Sequence, residues 1–332
     1  MNEEAIRYTT QTLLSAGKGI LAADETPTSI GKRLAAIGVE NTPENRRNFR
    51  ELLFTAPGIE QYISGIILQD ETIQQNTEDG TPLLKIISRK NIIPGIKVDL
   101  GLSPFNSSEV ETSTLGLDDL SERLEKYKTM GAKFAKWRCV LHVSENTPTE
   151  NAYRHNALLL AEYAKKCQEA TIVPIVEPEV LMEGSHTMEK SFEVTSKILK
   201  LVFEALKDYE VSLSGMLLKP NMIIPGLKSE KKTTPEEVAR KTIECFKASV
   251  PSDLDGIVFL SGGQSDEDSV TNLNLMNKLH NNLPWVLSYS YGRSLQRQAM
   301  DTWGGKAANV EAAQKAFIKQ AELCSKASLG SL

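Results

Sequence analysis

Residues 171–179 read TIVPIVEPE, a short apolar run rich in β-branched residues that closes on two glutamates. A run of this length and composition predicts a strand buried in a parallel sheet. Seven further runs follow the same pattern and close on polar or glycine-bearing tails, at residues 17–24, 63–71, 92–99, 132–141, 213–221, 256–264 and 285–293. The sequence therefore predicts eight strands that carry polar residues at their C-terminal ends.

The segments between these runs are longer and amphipathic, with the spacing that helices show. Several begin with helix start signals, which are Thr42-Pro43, Ser121, Thr234-Pro235 and Ser265-Asp266. Alternating strands and helices predict a parallel α/β sheet, because parallel neighbours need a crossover connection. Since no linker interrupts the 332 residues, we expect a single-domain (β/α)8 TIM barrel over residues 1–332.

An open, doubly wound sheet is the alternative architecture. No GxGxxG motif follows the first run, and polar residues close nearly every strand rather than one or two of them. A ring of converging strand ends explains that distribution better than a single crevice does.

Composition narrows the function classes. A net charge of −5 and a pI near 5.6 disfavour a nucleic-acid surface. The N-terminus is acidic where a signal peptide would be basic, and no stretch approaches the roughly 18 apolar residues of a membrane span. The cysteines and histidines are scattered without metal-ligand spacing. We therefore expect a cytoplasmic protein with no nucleic-acid or membrane partner, no metal and no cofactor.

The closing residues of the eight strands are predicted to meet at one mouth of the barrel. Those with charged or hydroxyl side chains are Asp24, Lys97, Lys136, Arg138, Glu177, Glu179, Lys219, Ser261, Ser290 and Arg293. Lysine, aspartate and glutamate are seldom buried unless paired, so mutual neutralisation in one pocket is expected. A purely structural ring of ion pairs is the other reading of these residues.

Side-chain alternation along a strand refines this picture. Lys136 and Arg138 are expected to share one face while Trp137 takes the other, and Glu177 and Glu179 are expected to pair in the same way. Two same-face charged pairs on neighbouring strands indicate a built site at the barrel mouth.

Lys219 is the candidate nucleophile. It follows apolar residues in GMLLKPN and directly precedes Pro220, which ends regular sheet pairing. Burial and neighbouring cations favour the neutral, nucleophilic form of such an amine. Attack on a ketone would give a protonated imine that accepts electrons from a breaking carbon–carbon bond. Glu177 and Glu179 could move the protons, and Asp24 could accept the hydroxyl proton that starts cleavage.

Two clusters indicate anion binding. The segment LSGGQS at residues 260–265 places two glycines before a helix start, and Arg293 closes the eighth run. Loops after the seventh and eighth strands are the usual phosphate site of such barrels. A second cluster, formed by Thr26, Ser29, Lys32 and Arg33, follows the first strand. Two anion sites on one pocket indicate a bisphosphate ligand.

With these motifs in place, the chain resembles the class I fructose-bisphosphate aldolases. The matching blocks, in order along the chain, are GKGILAADE, NRRNFRELLFTA, GIKVD, FAKWRCVL, VPIVEPEVL, LLKPNM, FLSGGQS and SYGR. The resemblance implies reversible cleavage of fructose 1,6-bisphosphate to glycerone phosphate and glyceraldehyde 3-phosphate, in glycolysis and gluconeogenesis, without metal and in a homotetramer.

The resemblance also implies roles for individual residues. Lys219 is expected to form the Schiff base, with Glu177 as acid and base for imine formation. Glu179 and Lys136 are its expected proton and charge partners, and Asp24 is expected to act on the C4 hydroxyl. The expected substrate contacts are Lys97 and Arg138 in the same pocket, Ser261, Gly262, Gly263, Ser290, Gly292 and Arg293 at the 1-phosphate, and Ser29 and Arg33 at the 6-phosphate.

The sequence departs from the family pattern in two places. Thr26-Pro27-Thr28 stands where members often carry Ser-Thr-Gly, which affects the expected 6-phosphate contact. The last tyrosine is Tyr291, so we expect the C-terminal tail that often ends in tyrosine to be short or missing. The alternatives are another imine-forming lyase, acting on sedoheptulose bisphosphate, fructose 1-phosphate or deoxyribose phosphate, and a non-catalytic scaffold.

Overall fold

The computed structural model describes residues 2–280 and 282–332. Its ten strands are β1 Gly19–Ala22, β2 Ile63–Leu68, β3 Ile93–Lys97, β4 Leu102–Pro104, β5 Thr112–Thr114, β6 Phe134–Leu141, β7 Val173–Val180, β8 Leu217–Leu218, β9 Gly256–Phe259 and β10 Val286–Tyr291. Eight of these lie in the eight predicted runs. The additional pair, β4 and β5, forms an antiparallel hairpin that the sequence analysis did not anticipate.

The helices fill the connections between strands. They are α1 Glu3–Leu13, α2 Pro27–Ala36, α3 Pro43–Thr55, α4 Asp70–Ile73, α5 Leu83–Arg89, α6 Leu120–Met130, α7 Glu150–Glu169, α8 Met188–Asp208, α9 Pro235–Ser249, α10 Asp266–Leu279, α11 Arg293–Trp303 and α12 Val310–Ser328. Among the described residues, no helix has both the length and the apolar character needed to cross a membrane.

The eight main strands close into a parallel barrel. Their order around the ring is β1-β10-β9-β8-β7-β6-β3-β2, and every neighbouring pair is parallel. The predicted (β/α)8 TIM barrel is therefore confirmed, and the open doubly wound alternative is wrong. Closure brings all eight C-terminal strand ends to one mouth.

Three of the four predicted helix starts are confirmed. Thr42, Thr234 and Ser265 each cap a helix by accepting a backbone N–H bond through the side chain, and Thr234 forms a full capping box. Ser121 is not a cap, because α6 begins one residue earlier at Leu120. Leu120 is completely buried in the core, so the packing of this residue lengthens the helix at its N-terminal end, before the predicted start.

Helix α1 closes the N-terminal mouth of the barrel. Its Ile6 and Leu13 pack with Phe134 and other inward-facing strand residues in a small apolar cluster inside the ring. Glycines make room for this plug: a Cβ on Gly95 would lie 2.3 Å from the Phe134 ring, and one on Gly256 would lie 2.4 Å from Leu14. This half of the interior is filled with apolar side chains, so the charged residues occupy the opposite mouth.

The predicted side-chain alternation on β6 is also confirmed. Trp137 is fully buried on the outer side, where its ring stacks on Tyr163 of α7 with centroids 5.5 Å apart. Lys136 and Arg138, on either side of it, both line the cavity at the C-terminal mouth. A large apolar side chain packed against the helices thus fixes the direction of two cations.

Candidate active site

A cavity of about 450 Å³ opens at the C-terminal mouth of the barrel. It is lined by all the residues for which the family resemblance implied a catalytic or substrate-binding role, which are Asp24, Ser29, Arg33, Lys97, Lys136, Arg138, Glu177, Glu179, Lys219, Ser261, Gly262, Gly263, Ser290, Gly292 and Arg293. Glu25, Asp99, Leu102 and Met182 line it as well, although the sequence analysis did not single them out. Lys32, expected in the second anion cluster, is exposed and lies outside the cavity lining.

Four charged side chains form an alternating chain at the centre of this cavity. Lys136 Nζ lies 2.7 Å from Asp24 Oδ2 and 3.4 Å from Glu177 Oε2, and Lys219 Nζ lies 3.1 Å from Glu177 Oε1. The side chains of Lys136, Glu177 and Lys219 are each no more than 5% exposed. Alternation of sign satisfies each buried charge with an opposite neighbour, as burial requires.

Strand register places the members of this chain. On β6 and β7, Arg138 is paired in register with Glu177. The short strand β8 pairs with β7 through Val176 and Leu218, and the Lys219 N–H donates to the Val176 carbonyl at 2.8 Å. Lys219 directly follows β8 and therefore lies beside Glu177 of β7, whose side chain points into the barrel mouth.

The charge states of Asp24 and Lys136 are determined by the charged groups next to them. Burial alone would raise the pKa of Asp24, but the positive charges of Lys136 and Lys219 lower it to about 2. Burial opposes the charge on Lys136, yet Asp24 and Glu177 together raise the pKa of its amine. Asp24 is thus an anion and Lys136 a cation at neutral pH.

The two carboxylate oxygens of Glu177 have different surroundings. Its Oε1 faces Lys219, while Oε2 is buried and has no hydrogen-bond partner among the described residues. The 3.4 Å approach of Lys136 to Oε2 is a charge contact without hydrogen-bond geometry. A carboxyl group in this position can take a proton from a nearby amine and return it to a departing hydroxyl.

Two further ion pairs flank the chain. Glu179 accepts a hydrogen bond from Arg138 Nε, and although burial opposes the charge, this partner raises the pKa of Arg138. Lys97 Nζ lies 2.6 Å from Asp99 Oδ1 and also donates to the Asp99 carbonyl at 2.7 Å. Glu179 is therefore bound to Arg138 and not directly to Lys219. Asp99 could have been found, because it closes the third apolar run.

The ends of β9 and β10 carry uncommitted hydrogen-bond donors. Ser290 Oγ is buried and has no partner among the described residues, and Ser261 is also buried. Gly263 adopts a φ of +76°, where a Cβ would also lie 2.6 Å from Met182. Arg293 is the first residue of α11 and makes one long bond, 3.4 Å, to the Gln264 carbonyl. This arrangement can receive an anion.

The second cluster lies after β1. Thr26 caps α2 and donates to Ser29 Oγ at 3.1 Å, while Arg33 NH1 lies 2.5 Å from Glu25 Oε1. The Glu25 carboxylate also accepts a bond from the buried Arg50 at 2.9 Å. Glu25 was not among the predicted site residues, although it directly follows Asp24. A hydroxyl and a guanidinium here face the same cavity as the β9 and β10 ends.

No group of three or more histidine, cysteine, aspartate or glutamate residues in ranges 2–280 and 282–332 has the geometry of a metal site.

A closed parallel barrel with a buried, charge-paired lysine at its C-terminal mouth defines the chain as a barrel enzyme. The family model for glycolytic class-I fructose-bisphosphate aldolase matches residues 5–332. The chain belongs to this family and is a lyase, and fructose-bisphosphate cleavage in glycolysis is the activity of the family.

Individual relatives agree with the family match. A cytosolic fructose-bisphosphate aldolase of Arabidopsis thaliana is 50% identical and aligns over 95% of this chain and 80% of its own length. The Drosophila melanogaster aldolase is 48% identical over 96% of this chain and 89% of its own. A solved structure of the Plasmodium falciparum aldolase, in complex with TRAP and a small-molecule inhibitor, has a TM-score of 0.97 and 46% identity, covering 99% of this chain and 95% of that one.

The lowered pKa of Asp24 predicts an acid-side loss of stability. The contribution of this group is present above the pKa of an unfolded aspartate, 3.8, and is lost as pH falls toward the folded value of about 2. A shift of this size corresponds to about 2 kcal/mol in the free energy of unfolding. Asp24→Asn should therefore show a shallower loss of stability between pH 4 and 2 than the wild type, measured by urea unfolding at each pH.

Asp118→Asn, which alters an exposed carboxylate, is the matched control and should keep the wild-type slope. An Asp24→Asn protein with an unchanged slope in this pH window would contradict the assignment.

Proposed function

We propose that this chain cleaves fructose 1,6-bisphosphate reversibly, through a Schiff base on Lys219, to glycerone phosphate and glyceraldehyde 3-phosphate. The observation that carries the proposal is the buried contact between Lys219 Nζ and Glu177 Oε1, 3.1 Å long, at the mouth of the barrel. The substrate partner is a ketose phosphate small molecule, and the chemistry needs only side chains of this protein.

Imine formation uses Lys219 and Glu177. Transfer of a proton from the Lys219 ammonium to Glu177 leaves a neutral amine, which attacks the C2 carbonyl and gives a carbinolamine. The same carboxyl group then returns a proton to the C2 hydroxyl, which leaves as water and forms the protonated imine. Lys136 stays positive beside Glu177 and stabilises the carboxylate each time that it forms.

Cleavage uses the other end of the charged chain. Asp24, held as an anion by Lys136, accepts the proton of the C4 hydroxyl. The electrons of the C3–C4 bond move to the imine, which becomes an enamine, and glyceraldehyde 3-phosphate departs. Protonation of the enamine at C3 and hydrolysis of the imine then release glycerone phosphate and restore Lys219.

The two anion clusters are proposed to hold the two phosphates. Ser261, Ser290 and Arg293, with the backbone of Gly262, Gly263 and Gly292, would bind the 1-phosphate. Ser290 Oγ has no hydrogen-bond partner among the described residues, and Arg293 makes one long bond. Ser29 and Arg33 would bind the 6-phosphate, with Thr26 acting mainly as the cap that orders α2. Lys97 and Arg138 would contact the sugar between these sites. Glu179 would hold the Arg138 guanidinium in place.

Replacing the nucleophile should abolish turnover and leave the fold intact. Lys219→Met removes the amine that attacks C2, so kcat should fall by at least about 1,000-fold in a coupled assay of fructose 1,6-bisphosphate cleavage. Lys133→Met changes an exposed lysine and should retain wild-type turnover.

Normal cleavage by Lys219→Met would move the nucleophile elsewhere, and loss of wild-type activity in a chelator would refute a metal-independent mechanism. A wild-type chain without turnover on any ketose phosphate would favour a non-catalytic scaffold.

The second phosphate site distinguishes a bisphosphate substrate from a monophosphate. Arg33→Met should raise the KM for fructose 1,6-bisphosphate by about 10-fold or more, since it removes a charge-assisted contact. The rate with fructose 1-phosphate should change by less than about two-fold, because that substrate leaves the site empty. Steady-state kinetics with both substrates make this comparison.

Lys32→Met, which alters the exposed neighbour, is the control and should match the wild type with both substrates. Equal losses with both substrates would contradict the 6-phosphate assignment. Wild-type kcat/KM on sedoheptulose bisphosphate above that on fructose 1,6-bisphosphate would favour the alternative lyase.

We also propose that the chain is cytoplasmic, as the cytosolic names of its Arabidopsis relatives suggest, and that it forms a homotetramer. Leu100, Val110 and Leu115 are exposed on and around the β4–β5 hairpin, and exposed apolar side chains of this kind fit a subunit contact.

Sedimentation should therefore give about four times the 36.6 kDa chain mass, and Leu115→Lys should shift the protein toward smaller species. A wild-type protein that sediments as a monomer at micromolar concentration would contradict this assembly.

A further inference from the structure

Among the barrel strands, β8 has the fewest residues paired with its neighbouring strands, although it leads directly into Lys219. It is two residues long, Leu217–Leu218, and pairs in register with Ile175 and Val176 of β7. One more bond follows, from the Lys219 N–H to the Val176 carbonyl. Beyond Lys219 no further backbone hydrogen bond joins β8 to β7 among the described residues, and Pro178 of β7 has no N–H to donate. Another contact must hold the two strands together beyond that point.

The side chain of Asn221 makes this contact. It is 1% exposed, and its Oδ1 accepts the backbone N–H of Val180 on β7 at 2.9 Å. Its Nδ2 donates to Thr195 Oγ1 on α8 at 3.2 Å and to the Met222 carbonyl at 3.1 Å. The amide group therefore joins the C-terminal ends of β7 and β8 and anchors both to the helix behind them.

The positions of these bonds relate them to the reacting groups. Asn221 lies two residues after Lys219, and Val180 lies three residues after Glu177. The brace thus connects the strand that carries the proposed nucleophile to the strand that carries its proton partner. We propose that Asn221 is a positioning residue for imine formation, acting through the separation of the Lys219 amine and the Glu177 carboxyl group.

This inference rests on the proposed function and extends it to a residue outside the cavity lining. Substrate contacts come from other residues, so loss of the brace should leave substrate binding unchanged. Proton transfer between Lys219 and Glu177 needs a separation near the observed 3.1 Å, and small displacements of reacting groups lower rates steeply. The remaining ties, including the Leu260 N–H bond to the Pro220 carbonyl, keep the segment folded.

The test is Asn221→Leu, which keeps the approximate size of the side chain and removes all three hydrogen bonds. We expect kcat for fructose 1,6-bisphosphate to fall by about 10- to 100-fold with KM within about two-fold of the wild type. The rate at which borohydride traps glycerone phosphate on Lys219 should fall in parallel. Asn221→Ala removes the same bonds without adding bulk, and serves if the leucine variant does not fold.

Thr242→Val is the matched control. Thr242 is fully buried and accepts the Ile223 N–H at 2.9 Å, so it braces the same loop, and among the described residues its side chain makes no hydrogen bond to β7. For this variant we expect a fall in Tm comparable to that of Asn221→Leu, with kcat unchanged from the wild type.

Equal losses of kcat in Asn221→Leu and Thr242→Val, or a raised KM with unchanged kcat in the Asn221 variants, would overturn the proposal. Wild-type protein trapped in parallel separates the two proposals, since absence of its Lys219 adduct would refute the Schiff base itself.

Discussion

The structure of this site depends on the pairing of charged side chains that are buried away from water. Asp24, Lys136, Glu177 and Lys219 lie in sequence positions far apart, and each is buried where an isolated charge would be unstable. The closed ring brings their four strands to one mouth, so the alternation of their charges and the closure of the barrel support each other. The same pairing gives the groups different tasks, because Asp24 is held ionised while one oxygen of Glu177 remains open.

The apolar half of the barrel makes this arrangement possible. Helix α1 fills the N-terminal mouth, and glycines such as Gly95 admit the bulky Phe134 to the interior. The cavity that holds the charged residues lies at the C-terminal side, where two anion clusters border it. A ligand with a phosphate at each end would place its middle beside Lys219, which connects the geometry of the mouth to the proposed bisphosphate chemistry.

Much of this could be predicted from the sequence, because strands and their closing residues leave a local pattern. The eight runs gave the barrel, and the charged residues within those runs gave the cavity lining. The β4–β5 hairpin has three-residue strands that are too short for a periodic signal. Ser121 failed as a cap because burial of Leu120 outweighed the local signal. Asn221 belonged to a matching block, yet its brace to Val180 is a tertiary contact that no spacing reveals.

The most direct test of a Schiff base on Lys219 is to locate the covalent adduct. Wild-type protein and Glu177→Gln would be reduced with borohydride in the presence of glycerone phosphate, digested, and mapped by mass spectrometry. A Schiff base on Lys219 that Glu177 helps to form predicts a single adduct on the peptide that contains Lys219, formed much more slowly in Glu177→Gln. An adduct on Lys136 or Lys97 instead, no adduct in the wild type, or equal trapping rates in the two proteins would contradict it.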